Sequence, residues 1–228
     1  MSRALVAAVG AALLLAAGSA QAEWQATQGD LGRSEARAIL RAGGAWAGPT
    51  GGDVDKTKPG VNYQAAAAYR VWGMFSVCGS FATGSFDVDG QVVSLIGQYV
   101  RSDLRSGNVS GSYEPQRLRL GLRFEALRTE TSRVVPYLEG GALFTTTKFT
   151  IDSVDRSTPG FAPNADGEIQ SVAQFERSTT GAFLRGGVEW LTAGPVGVYT
   201  EATFDAVSIP AGLHSIVSVG AGISLRPL

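Results

Sequence analysis

Hydrophobic and polar positions alternate with a period of two along most of the chain. The clearest run is Gln116 to Leu127. Leu118, Leu120, Leu122, Phe124 and Ala126 fall on one side, and Arg117, Arg119, Gly121, Arg123 and Glu125 on the other. A helix would scatter both sets around its circumference, whereas a strand separates them completely. Seven further segments share this pattern and are read as strands. Ala36 to Trp46 sets Ala38, Leu40, Ala42 and Trp46 against Arg37, Ile39 and Arg41. Tyr63 to Trp72 sets Tyr63, Ala65, Ala67, Tyr69 and Val71 against Gln64, Arg70 and Trp72. Phe75 to Phe86 sets Phe75, Val77 and Phe81 against Ser76, Cys78 and Ser80. Val134 to Thr150 sets Leu138, Ala142 and Phe144 against Tyr137 and Glu139. The last three are Ala182 to Trp190, with Phe183, Arg185 and Glu189 on its polar side; Val196 to Val207, with Tyr199, Glu201 and Asp205; and Val217 to Arg226, with Ser218, Ser224 and Arg226. Each is about as long as the 9–11 residues that a tilted membrane strand needs.

The stretch Gln91 to Val100 departs from this period. Val92, Leu95, Ile96, Tyr99 and Val100 recur at helical spacing, which predicts a short amphipathic helix or an irregular excursion inside a loop. The alternative is an extension of the preceding strand through an Asp87-Val88-Asp89-Gly90 hairpin turn.

Connections alternate between short and long. Gly73-Met74, Arg128 to Arg133 and Thr192 to Pro195 are short; Gly48 to Asn62, Asp87 to Glu114, Ile151 to Ser178 and Ser208 to Leu213 are longer. Short periplasmic turns and longer external loops are the layout of an outer-membrane barrel with an even number of strands. The amino terminus adds an address. Arg3, the apolar run Ala4 to Gly18 and the A-x-A triplet Ala20-Gln21-Ala22 form the three parts of a secretory signal peptide cleaved after Ala22. The expected organisation is signal peptide 1–22, a periplasmic segment 23–33 and a barrel domain 34–228.

Composition narrows the function. Charged residues are 17% of the 228, hydrophobic residues 44% and glycines 30. The charged share is low against about 25% in soluble domains. The formal net charge of -1 gives no electrostatic footprint for nucleic acid. A single cysteine, Cys78, and a single histidine, His214, exclude a disulfide framework and a multi-histidine zinc site.

Alternation, export and the absence of any long apolar run after residue 22 together point to a closed sheet in a membrane. In hydrocarbon every backbone polar group must be bonded internally, which only helices and closed barrels achieve. The leucine-rich face then meets lipid. Arginine on that face costs about 2–4 kcal/mol at the midplane. Arg37, Arg41, Arg70, Arg117, Arg119, Arg123, Arg185 and Arg226 therefore point inward, opposite Glu125, Glu139, Glu189, Glu201 and Asp205. Charges confined in a narrow lumen are expected to pair, since a lone buried charge is costly. Eight strands enclose a space that side chains just fill, so the lumen is expected to be plugged. Inward glycines (Gly121, Gly141, Gly187, Gly220 and Gly222) leave room for long arginines. Trp46, Tyr63, Trp72, Phe75, Trp190 and Phe204 suit two interfacial girdles.

The chain resembles the small eight-stranded outer-membrane β-barrel proteins of the OmpA/OmpX/opacity type. The carriers are Val135-Pro136-Tyr137-Leu138-Glu139-Gly140-Gly141-Ala142, the run Gly181 to Trp190, and the last strand, Ser215 to Arg226. The family usually ends in an aromatic residue that the barrel-assembly machinery reads; here the end is Leu225-Arg226-Pro227-Leu228. The resemblance implies a closed antiparallel all-β barrel in the cell outer membrane, without a cofactor. Outer-membrane lipid, lipopolysaccharide and the assembly machinery are its implied partners.

Other candidate chemistry is weaker. His214-Ser215 suggests a lipid-A-modifying His/Ser pair, but neighbours on a strand point to opposite faces. Asp152, Asp155, Asp166 and Glu168 lack EF-hand spacing. Lys56, Lys58, Arg101 and Arg105 could meet lipopolysaccharide phosphates. The expected role is non-enzymatic: structural or surface-interacting, with external loops open to surface partners. A narrow porin-like channel for small or hydrophobic solutes is the alternative, and lipid-A modification a second.

Overall fold

A computed structural model describes residues 37–50, 57–91, 108–125, 133–154, 173–192, 195–209 and 212–227. Among them are nine strands: β1 (Ala38–Thr50), β2 (Gly60–Trp72), β3 (Phe75–Gly84), β4 (Phe86–Gln91), β5 (Asn108–Glu125), β6 (Val134–Val154), β7 (Ala173–Leu191), β8 (Val196–Ile209) and β9 (Gly212–Leu225). Apart from β3 and β4, sequence neighbours pair antiparallel; β1 pairs with β9 and β3 with β5, closing the sheet. β3 and β4 both lie along β5, β3 against Gln116–Phe124 and β4 against Asn108–Tyr113. They are two segments of one stave, so nine strands make an eight-stave barrel. The even stave count and the short turns at one end follow the sequence reading.

The step between β3 and β4 has a local cause. Ser85 lies outside the ladder at the level of Glu114 and Pro115. Proline has no N–H to donate, so it is tolerated where a ladder is already interrupted. Pro49 and Pro136 obey the same rule. The β1–β2 register ends at Ala47↔Gly60, before Pro49, and the β5–β6 register ends at Glu125↔Tyr137, beside Pro136. At the β2–β3 turn Gly73 adopts φ 51°, a left-handed conformation that suits glycine, with open space where a Cβ would stand.

The faces divide as an inverted globule. Leu120, Leu122, Leu138, Leu184, Val198, Val219 and Ile223 lie exposed on the outside, while every fully buried large side chain at mid-barrel is polar-tipped or charged apart from a few such as Leu143. The outward rows carry no charged residue between the level of Trp46 and Tyr63 and that of Trp72 and Phe75. At about 3.3 Å per residue and a tilt of about 40°, Tyr63 to Trp72 spans about 23 Å, near the about 25 Å apolar band of such barrels. The aromatics at both levels are exposed, as the girdle reading expects. No helix among the described residues is long and apolar enough to cross a membrane.

Several sequence expectations are corrected here. Trp72 faces outward at 78% exposure. A register shift between Arg70 and Trp72 inserts a residue and flips the phase of everything beyond it. Asp87 to Gly90 is no hairpin turn: these residues pair with Val109 to Ser112 as part of β4. Residues 92–100 lie outside the described residues, and so do 1–36, which hold the signal-peptide and periplasmic-segment readings. The long connections are shorter than expected. Strand continues to Thr50, Gln91, Val154 and Ile209, and resumes at Gly60, Asn108, Ala173 and Gly212. Asn-, Ser- and Gly-rich stretches such as Asn108 to Ser112 read as loop because their β-propensity is low, yet the ladders on either side hold them extended. As a result β5, β6 and β7 continue past the apolar band, and among the described residues Ala173 to Thr180 of β7 pairs with β6 alone.

Candidate functional site: the charged lumen

Alternation aims one side chain in two at the barrel axis, and these inward positions build three tiers. The tier nearest the short turns holds Glu125 and Glu189. Arg226 donates from Nε to Glu189 Oε1 at 2.9 Å and from Nη2 to Glu189 Oε2 at 2.6 Å and Glu125 Oε1 at 2.8 Å. Arg123 donates from Nε to Glu125 at 3.0 Å and from Nη2 to Glu189 at 3.1 Å. Half-buried Arg70 reaches Glu125 Oε2 at 3.4 Å.

The middle tier is organised around Glu139 and Glu201. Glu139 accepts from Arg123 at 3.0 Å, from Arg185 at 2.8 Å and from Arg41 Nη2. Glu201 accepts from Arg41 at 2.9 Å, from the Tyr137 hydroxyl at 2.6 Å and from Gln64 Nε2 at 2.5 Å. Arg185 lies 3.3 Å from Glu201 and also donates to Ser80 and Thr203. Arg123 thus joins two tiers, touching three carboxylates with one guanidinium.

Tyrosine rings pack this tier. The Arg123 guanidinium lies 3.8 Å from the Tyr137 ring centroid, and Arg41 lies 4.8 Å from it and 5.4 Å from that of Tyr199. Desolvated cations over aromatic faces gain from the ring quadrupole. Glycine makes the room. A Cβ at Gly187 would stand 2.5 Å from the Tyr137 hydroxyl, and one at Gly43 would stand 2.5 Å from that of Tyr199.

Among the described residues, the tier toward the long connections has one carboxylate. Asp205 accepts from Arg119 Nε at 2.8 Å and Nη2 at 2.5 Å, and from Arg117 Nη1 at 2.8 Å. Ala47, Phe86 and Ile216 form a buried apolar cluster against which Tyr113 packs, and Ile216 stands opposite Asp205 in the β8–β9 register.

The structure brings together twelve of the thirteen residues assigned to the lumen from sequence: Arg41, Arg70, Arg117, Arg119, Arg123, Glu125, Glu139, Arg185, Glu189, Glu201, Asp205 and Arg226. Arg37 is not among them. It precedes the first rung, Ala38↔Tyr69, and its side chain is exposed at the rim, while its carbonyl accepts from the Arg70 backbone N–H at 2.7 Å. Sequence reasoning gave no role to Gln64, Tyr137 or Tyr199, or to the Phe86 cluster. The signal for the tyrosines was their phase, since Tyr137 and Tyr199 stand two residues before Glu139 and Glu201 and so share their inward face. Phe86 keeps the inward phase of Ser76 and Ser80 across the interruption at Ser85, on a face where sequence reasoning looked only for polar residues.

The other candidates gain no geometry. Cys78 is half-buried and in no disulfide. No group of three metal-ligating side chains occurs among the described residues. His214 belongs to β9 and pairs with Val207. Of the four loop basics only Lys58 is described, and it is exposed. Asp155, Asp166 and Glu168 lie outside the described residues.

A closed antiparallel eight-stave barrel, lipophilic outside and charged within, defines the small outer-membrane β-barrel fold. Solved structures of that class superimpose on the chain. Neisserial surface protein A matches with a TM-score of 0.52 at 11% identity, over 83% of this chain and 96% of that one. The outer membrane protein OprG from Pseudomonas aeruginosa matches with a TM-score of 0.53 at 13% identity, over 82% and 94%. At such identities the likeness is one of fold. No protein-family profile and no curated protein matches the chain.

Proposed function

We infer that the chain is an integral outer-membrane protein of a Gram-negative cell with a structural or surface-interacting role, and that its lumen is closed to solutes. It reaches the membrane behind the signal peptide 1–22 and the barrel-assembly machinery. It is not an enzyme.

One observation carries this reading. Six arginines and five carboxylates inside the barrel are each at most 5% exposed. An open channel keeps its wall wetted, and wetted guanidinium groups do not bury to this degree. Charges so thoroughly removed from water persist only when partnered. The buried apolar cluster of Phe86 and Ile216 adds to the filling of the lumen. What remains for interaction is the outer surface: the lipid belt, and the polar wall of β5, β6 and β7 with the connections beyond it. Lipopolysaccharide, neighbouring proteins or another cell's surface are the partners such a wall can meet.

Conductance of the folded protein in planar bilayers tests the reading. The wild-type chain is expected to give no stable current steps, as are Arg119→Gln and Glu201→Gln if their remaining partners keep the core dry. Steady single-channel steps in the wild type, changed in size by either substitution, would make it a narrow channel instead.

A further inference from the structure

The tier of Arg117, Arg119 and Asp205 is short of one negative charge. Two guanidinium groups carry +2 and the single carboxylate -1, which leaves +1. The lower tiers carry the same excess, five arginines on four acids, but there a single buried guanidinium nitrogen among the described residues, Arg226 Nη1, lacks a partner. The upper tier is also short of acceptors. Arg117 Nε and Nη2 and Arg119 Nη1 are buried without a hydrogen-bond partner, and so is the hydroxyl of Thr145. The register places these groups together: Arg117 pairs with Thr145 across the β5–β6 ladder, and Arg119 is the next inward residue along β5. Asp205 comes from β8, three staves away, so both guanidinium groups reach into the lumen to meet it.

We propose that this tier is a binding site for a small inorganic monoanion of halide size, held by Arg117, Arg119 and Thr145 beside Asp205. A water molecule would satisfy the donors but leave the charge. The buried Asn62 carbonyl oxygen, also unpartnered, is neutral and leaves it too. A monoanion does both, accepting from a guanidinium fork as carboxylates and phosphates do elsewhere. Size follows from burial. Arg117 and Arg119 are 0% and 1% exposed, so the tier is sealed from solvent, and Ile216 of the apolar cluster stands opposite Asp205 in the β8–β9 register. No organic phosphate or sugar fits behind such a seal. The site is independent of whether the barrel conducts.

Bromide is the probe. The folded protein in detergent is unfolded by heat at constant ionic strength while gluconate is exchanged for bromide. The unfolding midpoint is expected to rise with bromide along a saturating curve in the wild type. Arg117→Leu is expected to abolish that rise. Should Arg117→Leu fail to fold, Thr145→Val keeps every charge and removes one donor, and it is expected to weaken bromide about tenfold. Crystals grown in bromide should show an anomalous peak within hydrogen-bond distance of Arg117 Nη2 and Arg119 Nη1. Superimposable bromide and gluconate curves in the wild type would overturn the proposal. So would an unchanged bromide response in Arg117→Leu or, failing that, in Thr145→Val, or a peak elsewhere only.

Discussion

The part of the barrel within the apolar belt and the wall that β5, β6 and β7 raise beyond it use the same antiparallel ladder and opposite chemistry. In the belt, Leu120, Leu138 and Ile223 face out and the ion pairs are sealed in; Arg123 and Glu189 are both 0% exposed. In the wall, Glu114 and Lys148 form an ion pair at 4.0 Å with both side chains open to solvent. Backbone geometry does not distinguish the two regions; the surrounding medium does. Where hydrocarbon replaces water outside, charge can only go inward, and there it must be neutralised. Where water returns, charge is indifferent to its side. The same type of contact is therefore a structural necessity in one region and a minor feature in the other.

Substitutions along this divide should separate the two regimes. The largest effect is expected from Glu139→Gln, which removes the charge shared by Arg41, Arg123 and Arg185. Breaking a buried network from one side costs about 3–5 kcal/mol, read as a fall in the urea midpoint of the refolded barrel. Leu120→Arg puts a charge on the lipid face and is expected to cost about 2–4 kcal/mol in a bilayer. In short-chain detergent, where water is near, most of that cost should vanish. Gly187→Ala forces Tyr137 from its seat over the glycine and is expected to cost about 1–3 kcal/mol as overpacking. Pairing it with Tyr137→Ala should return part of the loss, because the displaced ring is then gone. Lys148→Ala in the wall should change stability by less than about 1 kcal/mol. A loss from Lys148→Ala as large as that from Glu139→Gln would erase the distinction between the regions.

How much of this was legible beforehand follows from the same physics. The faces were, because a period of two is local: Leu118 to Phe124 against Arg117 to Glu125 can be read without knowing any partner. The identity of the buried charges followed, since arginine has nowhere else to go. Which arginine meets which acid was not legible. Arg41 and Glu201 are separated by 160 residues, and only the closed register brings them to 2.9 Å. Phase errors entered where the ladder slips. The bulge near Trp72 turned that side chain outward. Strand ends were misread beyond the belt, where Ser110, Ser153 and Ser178 lack the lipid-driven alternation that marks a membrane strand. The upper tier's missing negative charge was countable in principle from Arg117, Arg119 and Asp205, but only the geometry shows that no second acid among the described residues pairs with them.

The most direct test of the account is solvent accessibility around the belt. In a Cys78→Ser background, Leu120, Leu138, Leu184 and Ile223 are replaced one at a time by cysteine, spin-labelled, and the protein reconstituted into phospholipid bilayers. The account predicts that collisions with oxygen outweigh those with a water-soluble nickel chelate at all four sites, on four different staves. Access of the nickel chelate to these positions would mean that water, not hydrocarbon, bathes the leucine face, and that the charged interior has been assigned to the wrong side of the sheet.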